Sequence, residues 1–204
     1  GNLLVSVRYT FDDECRLGIH YQALCDQDTV INLTNHSYFN LDGEDSGSVE
    51  GQHLQIFADS FAENDAGCLP TGRIEEGAPF DFREPTEIGK RLHEENIHLK
   101  NGSGYDHNYL LKKQPDGLCA RAYSRSSGIL LECRTSEPGM QLYTGNFLST
   151  SNIVGKGGKS YPAHAAVCLE TQFFPDTPNH PEFPGGFTSP GEMYHYTTEY
   201  RFHL

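Results

Sequence analysis

Residues 194–204 read YHYTTEYRFHL, and the alternation in this stretch decides the fold class. Counting from Tyr194, every second side chain is aromatic or aliphatic, with the exception of Thr198. The side chains between them are polar or charged. Successive side chains of a β-strand point to opposite faces, so a period of two predicts a strand with one buried face. Residues 3–11, LLVSVRYTF, show the same period and predict a second half-buried strand.

Shorter segments of similar character follow one another along the chain, separated by turn-forming residues. The chain has 204 residues, 21 glycines and 11 prolines, and only residues 85–92 suggest a helix, of about two turns. Many short strands between such turns predict an all-β antiparallel sandwich or barrel, with residues 1–204 forming a single domain. Strands are predicted at 16–23, 30–36, 54–60, 105–112, 118–124, 128–135, 140–144 and 165–174.

Charge and composition exclude several classes of partner. The formal charge is −13, from 15 basic and 28 acidic residues, which disfavours nucleic acid and anionic membranes as partners. No apolar run approaches the roughly 18 residues of a membrane span. The cysteines form no C-x-x-C pair, so we expect free thiols, no zinc cluster and a cytoplasmic location. They are Cys15, Cys25, Cys68, Cys119, Cys133 and Cys168.

Two residues stand out because their chemistry contrasts with their surroundings. His36 lies between asparagines and aromatic residues in the run NLTNHSYFNL, residues 32–41. Glu170 continues the apolar segment AAVCL, and a buried carboxylate costs free energy unless it is paired or functional. Burial would also raise the pKa of Glu170. His36 could instead be a structural histidine without a catalytic role. Glu170 could likewise be a structural carboxylate.

Two further polar residues interrupt strand-like segments. Asp106 lies in GYDHNY, residues 104–109, where it could bind a ligand or form a turn after Gly104. Gln141 lies in the otherwise apolar MQLY segment, where it could bind a ligand or face solvent. Dinucleotide, P-loop, zinc-protease and serine-hydrolase motifs do not occur in the sequence.

Four segments in this order together resemble the aldose 1-epimerase family, which includes the galactose mutarotases. They are residues 32–41, 104–108, 141–148 (QLYTGNFL) and 169–181 (LETQFFPDTPNHP). The resemblance spans nearly the whole chain. It implies a large antiparallel β-sandwich, with a sugar lying in an open cleft across one sheet.

The resemblance also implies a role for each of the polar residues. His36 matches the family's general acid and Glu170 its general base, while Asp106 and Gln141 match residues that bind the substrate. The implied reaction interconverts the α and β anomers of an aldohexose such as glucose or galactose. The resemblance implies a monosaccharide substrate. Because ring opening and closure at C1 break no C–H bond, we expect no cofactor and no metal.

The sequence departs from the family pattern in one respect. The family's leading segment supplies an arginine and a second histidine in an L-H-G-G loop, whereas His93 here is followed by two glutamates. The chain is therefore similar to the C-terminal part of a mutarotase, and we expect it to lack N-terminal strands and to expose sheet edges. Two alternatives remain: a carbohydrate-binding module without turnover, and a hexose-phosphate 1-epimerase, which would need a basic pocket.

Overall fold

The computed structural model describes residues 1–150 and 153–204, which are mostly antiparallel β-strands. No helix within these residues has the length and apolar character that a membrane crossing requires. The strands are β1 (Leu3–Phe11), β2 (Arg16–Cys25), β3 (Thr29–Val30), β4 (His53–Ile56), β5 (Ala58–Asn64), β6 (Pro70–Glu76), β7 (Thr86–Glu87), β8 (Asp106–Leu111), β9 (Leu118–Tyr123), β10 (Leu130–Thr135), β11 (Gly139–Tyr143), β12 (Cys168–Gln172), β13 (Phe187–Thr188) and β14 (Tyr194–His203). The helices are α1 (Gly89–Leu92) and α2 (Ile97–Gly102), with 3₁₀ turns at Leu148–Thr150 and Thr177–Asn179.

Two large sheets enclose the main core. One has seven strands in the order β1-β2-β14-β10-β9-β4-β7, and the other has five in the order β12-β11-β8-β5-β6. Leu54 and Leu131 from the first sheet and Tyr109 and Leu142 from the second belong to the same cluster of buried apolar side chains. Burying this shared apolar surface is the main driving force for packing one sheet on the other. The prediction of an all-β antiparallel sandwich is confirmed.

Strand β1 lies at the edge of the seven-stranded sheet and is exposed along its whole length. Its nine residues pair with β2 on one side only, in a register that joins Leu3 to Cys25 and Phe11 to Leu17. Val5 is 40% exposed and Phe11 is 69% exposed. The prediction that this strand is half-buried is therefore wrong. Alternation correctly indicates a strand, but in the described part of the chain no second layer covers either face of β1.

The predicted strand at 30–36 is also wrong, because β3 ends at Val30. The following residues, through Tyr38, lie outside any strand. The side chains of Asn32 and Thr34, rather than their amides, bond to the carbonyls of Phe173, just after β12, and of Thr171 within it. Asparagine and threonine commonly form side-chain bonds of this kind with the backbone. The predicted helix at 85–92 is reduced to the single turn α1.

Candidate active site

Strands β8, β11 and β12 place a group of polar side chains on one face of the five-stranded sheet. Residues two apart along a strand share a face, and antiparallel pairing aligns these residues in rows across neighbouring strands. The opposite face of the same strands carries Leu142 and Leu169 into the core. The register gives one row of Asp106, Tyr143 and Cys168, and a second row of Asn108, Gln141 and Glu170.

His36 reaches this face because its segment runs antiparallel to the chain that leads into β12. Phe39 and Val167 exchange two backbone hydrogen bonds, of 2.9 and 2.8 Å. Continuing that antiparallel register by three residues places His36 opposite Glu170. Nε2 of His36 lies 3.4 Å from Oε1 of Glu170. The structure thus brings together the two residues that the resemblance identifies as acid and base, although they are far apart in the sequence.

Asparagine and threonine side chains hold the histidine segment against β12. Asn32 donates from Nδ2 to the carbonyl of Phe173 at 3.1 Å and accepts from the Phe173 amide at 2.9 Å. The hydroxyl of Thr34 donates to the carbonyl of Thr171 at 3.0 Å. These bonds replace a backbone ladder. The polar residues before His36 in the sequence therefore position its ring.

Aromatic rings enclose the imidazole on two sides. The His36 ring stacks on Tyr38, with 4.7 Å between centroids, and meets Tyr143 edge-on at 5.8 Å. The His36 side chain is 47% exposed, whereas that of Glu170 is 9% exposed. The Glu170 carboxylate is therefore almost fully covered by protein, whereas the His36 imidazole is accessible to solvent and to a ligand.

Burial changes the protonation of Glu170. Desolvation, with a smaller contribution from the charge of Asp106, raises the pKa of Glu170 from 4.5 to about 7. A carboxyl group with this pKa exchanges its proton near neutral pH, which suits a general base or acid. Burial also raises the pKa of Asp106, against an opposing effect from its hydrogen bond with Gln141.

Asp106 and Gln141 are directly bonded to each other beside the histidine and glutamate. Nε2 of Gln141 donates to Oδ1 of Asp106 at 2.7 Å. The amide oxygen Oε1 of Gln141 and both polar atoms of the Asn108 amide are buried without a hydrogen-bond partner among the described residues. The Asp106 carboxylate thus bonds to a side chain on the neighbouring strand.

A close approach of two chain segments fixes the start of β8. Gly104 has φ +136°, and a Cβ at this position would lie 2.5 Å from Oδ1 of Asn146. The Asn146 amide donates to the carbonyls of Gly102 at 2.7 Å and Tyr105 at 3.0 Å. Glycine is required here because a side chain would displace that amide. The GYD motif therefore positions Asp106.

Three further members of this face, Asn108, Tyr143 and Cys168, are not among the residues predicted from the sequence. The signal was present, since Tyr143 lies two residues after Gln141 and Cys168 two residues before Glu170. One imidazole nitrogen of His36, Sγ of Cys168 and a carboxylate oxygen of Glu170 all lie within 4.8 Å of one another, so these atoms could hold a metal ion. A cleft of about 500 Å³ borders the site at Tyr38.

Comparisons with known proteins all match the chain to one family. The family model described as aldose 1-epimerase matches residues 1–201. The chain is 44% identical to a galactose mutarotase of Rattus norvegicus over 205 residues, which cover 99% of this chain and 58% of that protein. It is 38% identical to an aldose 1-epimerase of Escherichia coli, with coverage of 99% and 59%.

Solved structures give the same result. The crystal structure of an aldose epimerase homologue from C. elegans superposes with a TM-score of 0.87 and 34% identity, covering 98% of this chain and 60% of that one. A galactose 1-epimerase from Lactobacillus acidophilus gives a TM-score of 0.84 at 27% identity, with coverage of 100% and 57%. The chain thus spans somewhat more than half the length of these relatives.

Proposed function

Because this chain belongs to the aldose 1-epimerase family, we propose that it interconverts the α and β anomers of an aldohexose such as glucose or galactose. The observation that carries the proposal is the 3.4 Å approach of His36 to Glu170 on an accessible sheet face. Anomer exchange requires one group that removes a proton and one that supplies it at the same carbon. These two side chains have that chemistry and that proximity.

In the proposed mechanism, ionised Glu170 removes the proton of the anomeric hydroxyl while protonated His36 gives a proton to the ring oxygen. The bond between C1 and the ring oxygen breaks, which leaves an open-chain aldehyde and a free hydroxyl. Rotation about C1–C2 presents the other face of the carbonyl. His36 then recovers the hydroxyl proton and Glu170 returns its proton to the carbonyl oxygen as the ring closes.

Asp106 and Gln141 are proposed to hold the sugar hydroxyls. The Asp106 carboxylate accepts hydrogen bonds, and the amide oxygen Oε1 of Gln141 is a buried acceptor without a partner in the described part of the chain. A sugar hydroxyl would satisfy that acceptor, whose burial otherwise costs free energy. The rings of Tyr38 and Tyr143 offer apolar surface for a pyranose face.

The two alternatives fit this site less well. A phosphorylated sugar would meet Asp106 and Glu170, whose negative charges repel phosphate. A binding module without turnover would not explain why the carboxylate with a pKa of about 7 lies against an accessible imidazole. We also propose a cytoplasmic location, in line with the free thiols of all six cysteines.

Polarimetry on freshly dissolved α-D-glucose or α-D-galactose tests the proposal, with acceleration of the optical relaxation as the expected result. Glu170→Gln and His36→Asn should each slow the catalysed relaxation by at least about 10²-fold, the low end of general acid–base effects. The matched controls are His195→Asn and Glu137→Gln. His195 is exposed on β14, and Glu137 is a buried residue in the loop before β11. Sugar binding without acceleration by the wild type would instead establish a binding module.

A further inference from the structure

The proposed reaction leaves one reactive side chain on the site face without a role. Cys168 lies two residues before Glu170 on β12, so the two side chains share a face of the strand. The cysteine is fully buried and its thiol is not in a disulfide. Burial and the nearby charges of Glu170 and Asp106 raise the pKa of Cys168, which keeps the thiol protonated and weakly nucleophilic. Covalent chemistry at this sulfur is therefore disfavoured.

Cys168, His36 and Glu170 together supply the donor atoms that zinc prefers. Zinc sites in proteins use cysteine sulfur, histidine nitrogen and carboxylate oxygen, and three protein ligands leave a fourth position open. A thiolate donor selects zinc over magnesium or calcium, which bind oxygen ligands. The carboxylate of Asp106, which lies in the same cross-strand row as Cys168, adds a further negative charge near the cluster. This charge also favours a dication.

The spacing of the donor atoms is close to that of a tetrahedral site. Ligand bonds of about 2.0–2.3 Å place neighbouring ligand atoms of a zinc tetrahedron about 3.3–3.6 Å apart. Nε2 of His36 and Oε1 of Glu170 are 3.4 Å apart, and no pair among the three donor atoms exceeds 4.8 Å. Adjustments on the order of 1 Å would complete the geometry. The half-exposed His36 can move by this amount without disturbing the core.

We propose that His36, Cys168 and Glu170 form a binding site for zinc or a similar soft divalent cation, and that the bound cation inhibits anomer exchange. Binding releases the Cys168 thiol proton to solvent and forms the metal–sulfur bond. It also occupies the lone pairs that Glu170 and His36 need for proton transfer, so sugar turnover and metal binding exclude each other. The inhibition rests on the proposed function, whereas the binding does not.

Cobalt(II) is the direct probe because a cobalt–thiolate bond gives a charge-transfer absorption that zinc does not show. Titrating the full chain with Co²⁺ should develop this absorption, and Zn²⁺ should displace it. In Cys168→Ala the absorption should disappear, while Cys25→Ala, which removes a partly buried thiol elsewhere, should retain it. His36→Asn changes an accessible side chain and should weaken Co²⁺ binding at least about tenfold.

Polarimetry then tests the inhibition separately. Zn²⁺ should slow the wild-type relaxation, and Cys168→Ala should raise the half-inhibiting Zn²⁺ concentration at least about tenfold with no change in the metal-free rate. Circular dichroism should confirm that each variant is folded. Cys168→Ser is a second variant that also removes the thiol, for use if Cys168→Ala does not fold. Equal Co²⁺ absorption or equal zinc sensitivity in folded wild-type and Cys168 variants would overturn the proposal. A wild type that binds Co²⁺ through Cys168 but never accelerates relaxation would refute the proposed function and leave the metal site standing.

Discussion

Replacing Glu170 with glutamine should make the protein more stable at alkaline pH while removing its activity. The carboxylate is buried on the sheet face, and its pKa rises from 4.5 to about 7 on folding. At about 1.4 kcal/mol for each pH unit, keeping this group ionised costs the folded state about 3 kcal/mol. Glutamine has a similar shape and no charge to bury. The candidate base is thus a site where function opposes stability.

The sign of the pH dependence follows from proton binding. Between pH 4.5 and about 7 the folded chain holds the Glu170 proton more tightly than the unfolded chain does. The free energy of unfolding contributed by this group is therefore full below the unfolded pKa and is lost as pH rises through the folded pKa. Other titrating groups are common to both proteins, so the difference between wild type and Glu170→Gln isolates this carboxyl.

Urea denaturation followed by circular dichroism measures the effect. Between about pH 4 and about pH 8, the stability of Glu170→Gln relative to the wild type should rise by about 3 kcal/mol. Glu137→Gln is the matched comparison, since burial also raises the pKa of Glu137 to about 7 and Tyr194 donates to its Oε1 at 3.1 Å. That variant should show a similar stability trend and keep its activity. A stability difference between wild type and Glu170→Gln that does not change with pH would show that burying the Glu170 charge does not lower the stability of the folded protein.

Three further predictions concern the site and the exposed edge. The catalysed rate should fall as pH decreases below about 7, because Glu170 becomes protonated; a polarimetric rate that stays flat on this acid side would argue against Glu170 as base. Gln141→Ala, which removes the bond to Asp106, should raise KM about tenfold with little change in kcat, and initial-rate polarimetry would contradict this if kcat fell instead. The exposed edge strand β1 should allow two copies of the chain to associate, and Val7→Lys should reduce that association; sedimentation profiles identical to the wild type would disprove edge pairing.

The sequence allowed the fold class to be predicted because strand alternation is a local property. The strands 3–11 and 194–204 were located by alternation alone. Burial depends on what lies above a strand, so the same alternation led to a wrong expectation for β1, which is exposed throughout. Residues 30–36 illustrate a different limit. Their composition suits a strand, but hydrogen bonds from Asn32 and Thr34 to β12 replace the backbone ladder.

The candidate site was predicted in its residues but not in its geometry. Chemistry in unexpected surroundings singles out both His36 and Glu170, and the resemblance implies their roles as acid and base. Their contact depends on the antiparallel register set by Phe39 and Val167, which no local pattern reveals. The same register brings Cys168 into the group.

Exchange spectroscopy by NMR at anomeric equilibrium tests the pairing of His36 with Glu170 most directly, because it reports the rate at C1 without any change in sugar concentration. The wild type should show protein-dependent exchange between the α and β anomers of galactose or glucose. A folded His36→Asn/Glu170→Gln double variant should show a rate no faster than the uncatalysed one. Wild-type exchange in that double variant would contradict the proposed pairing.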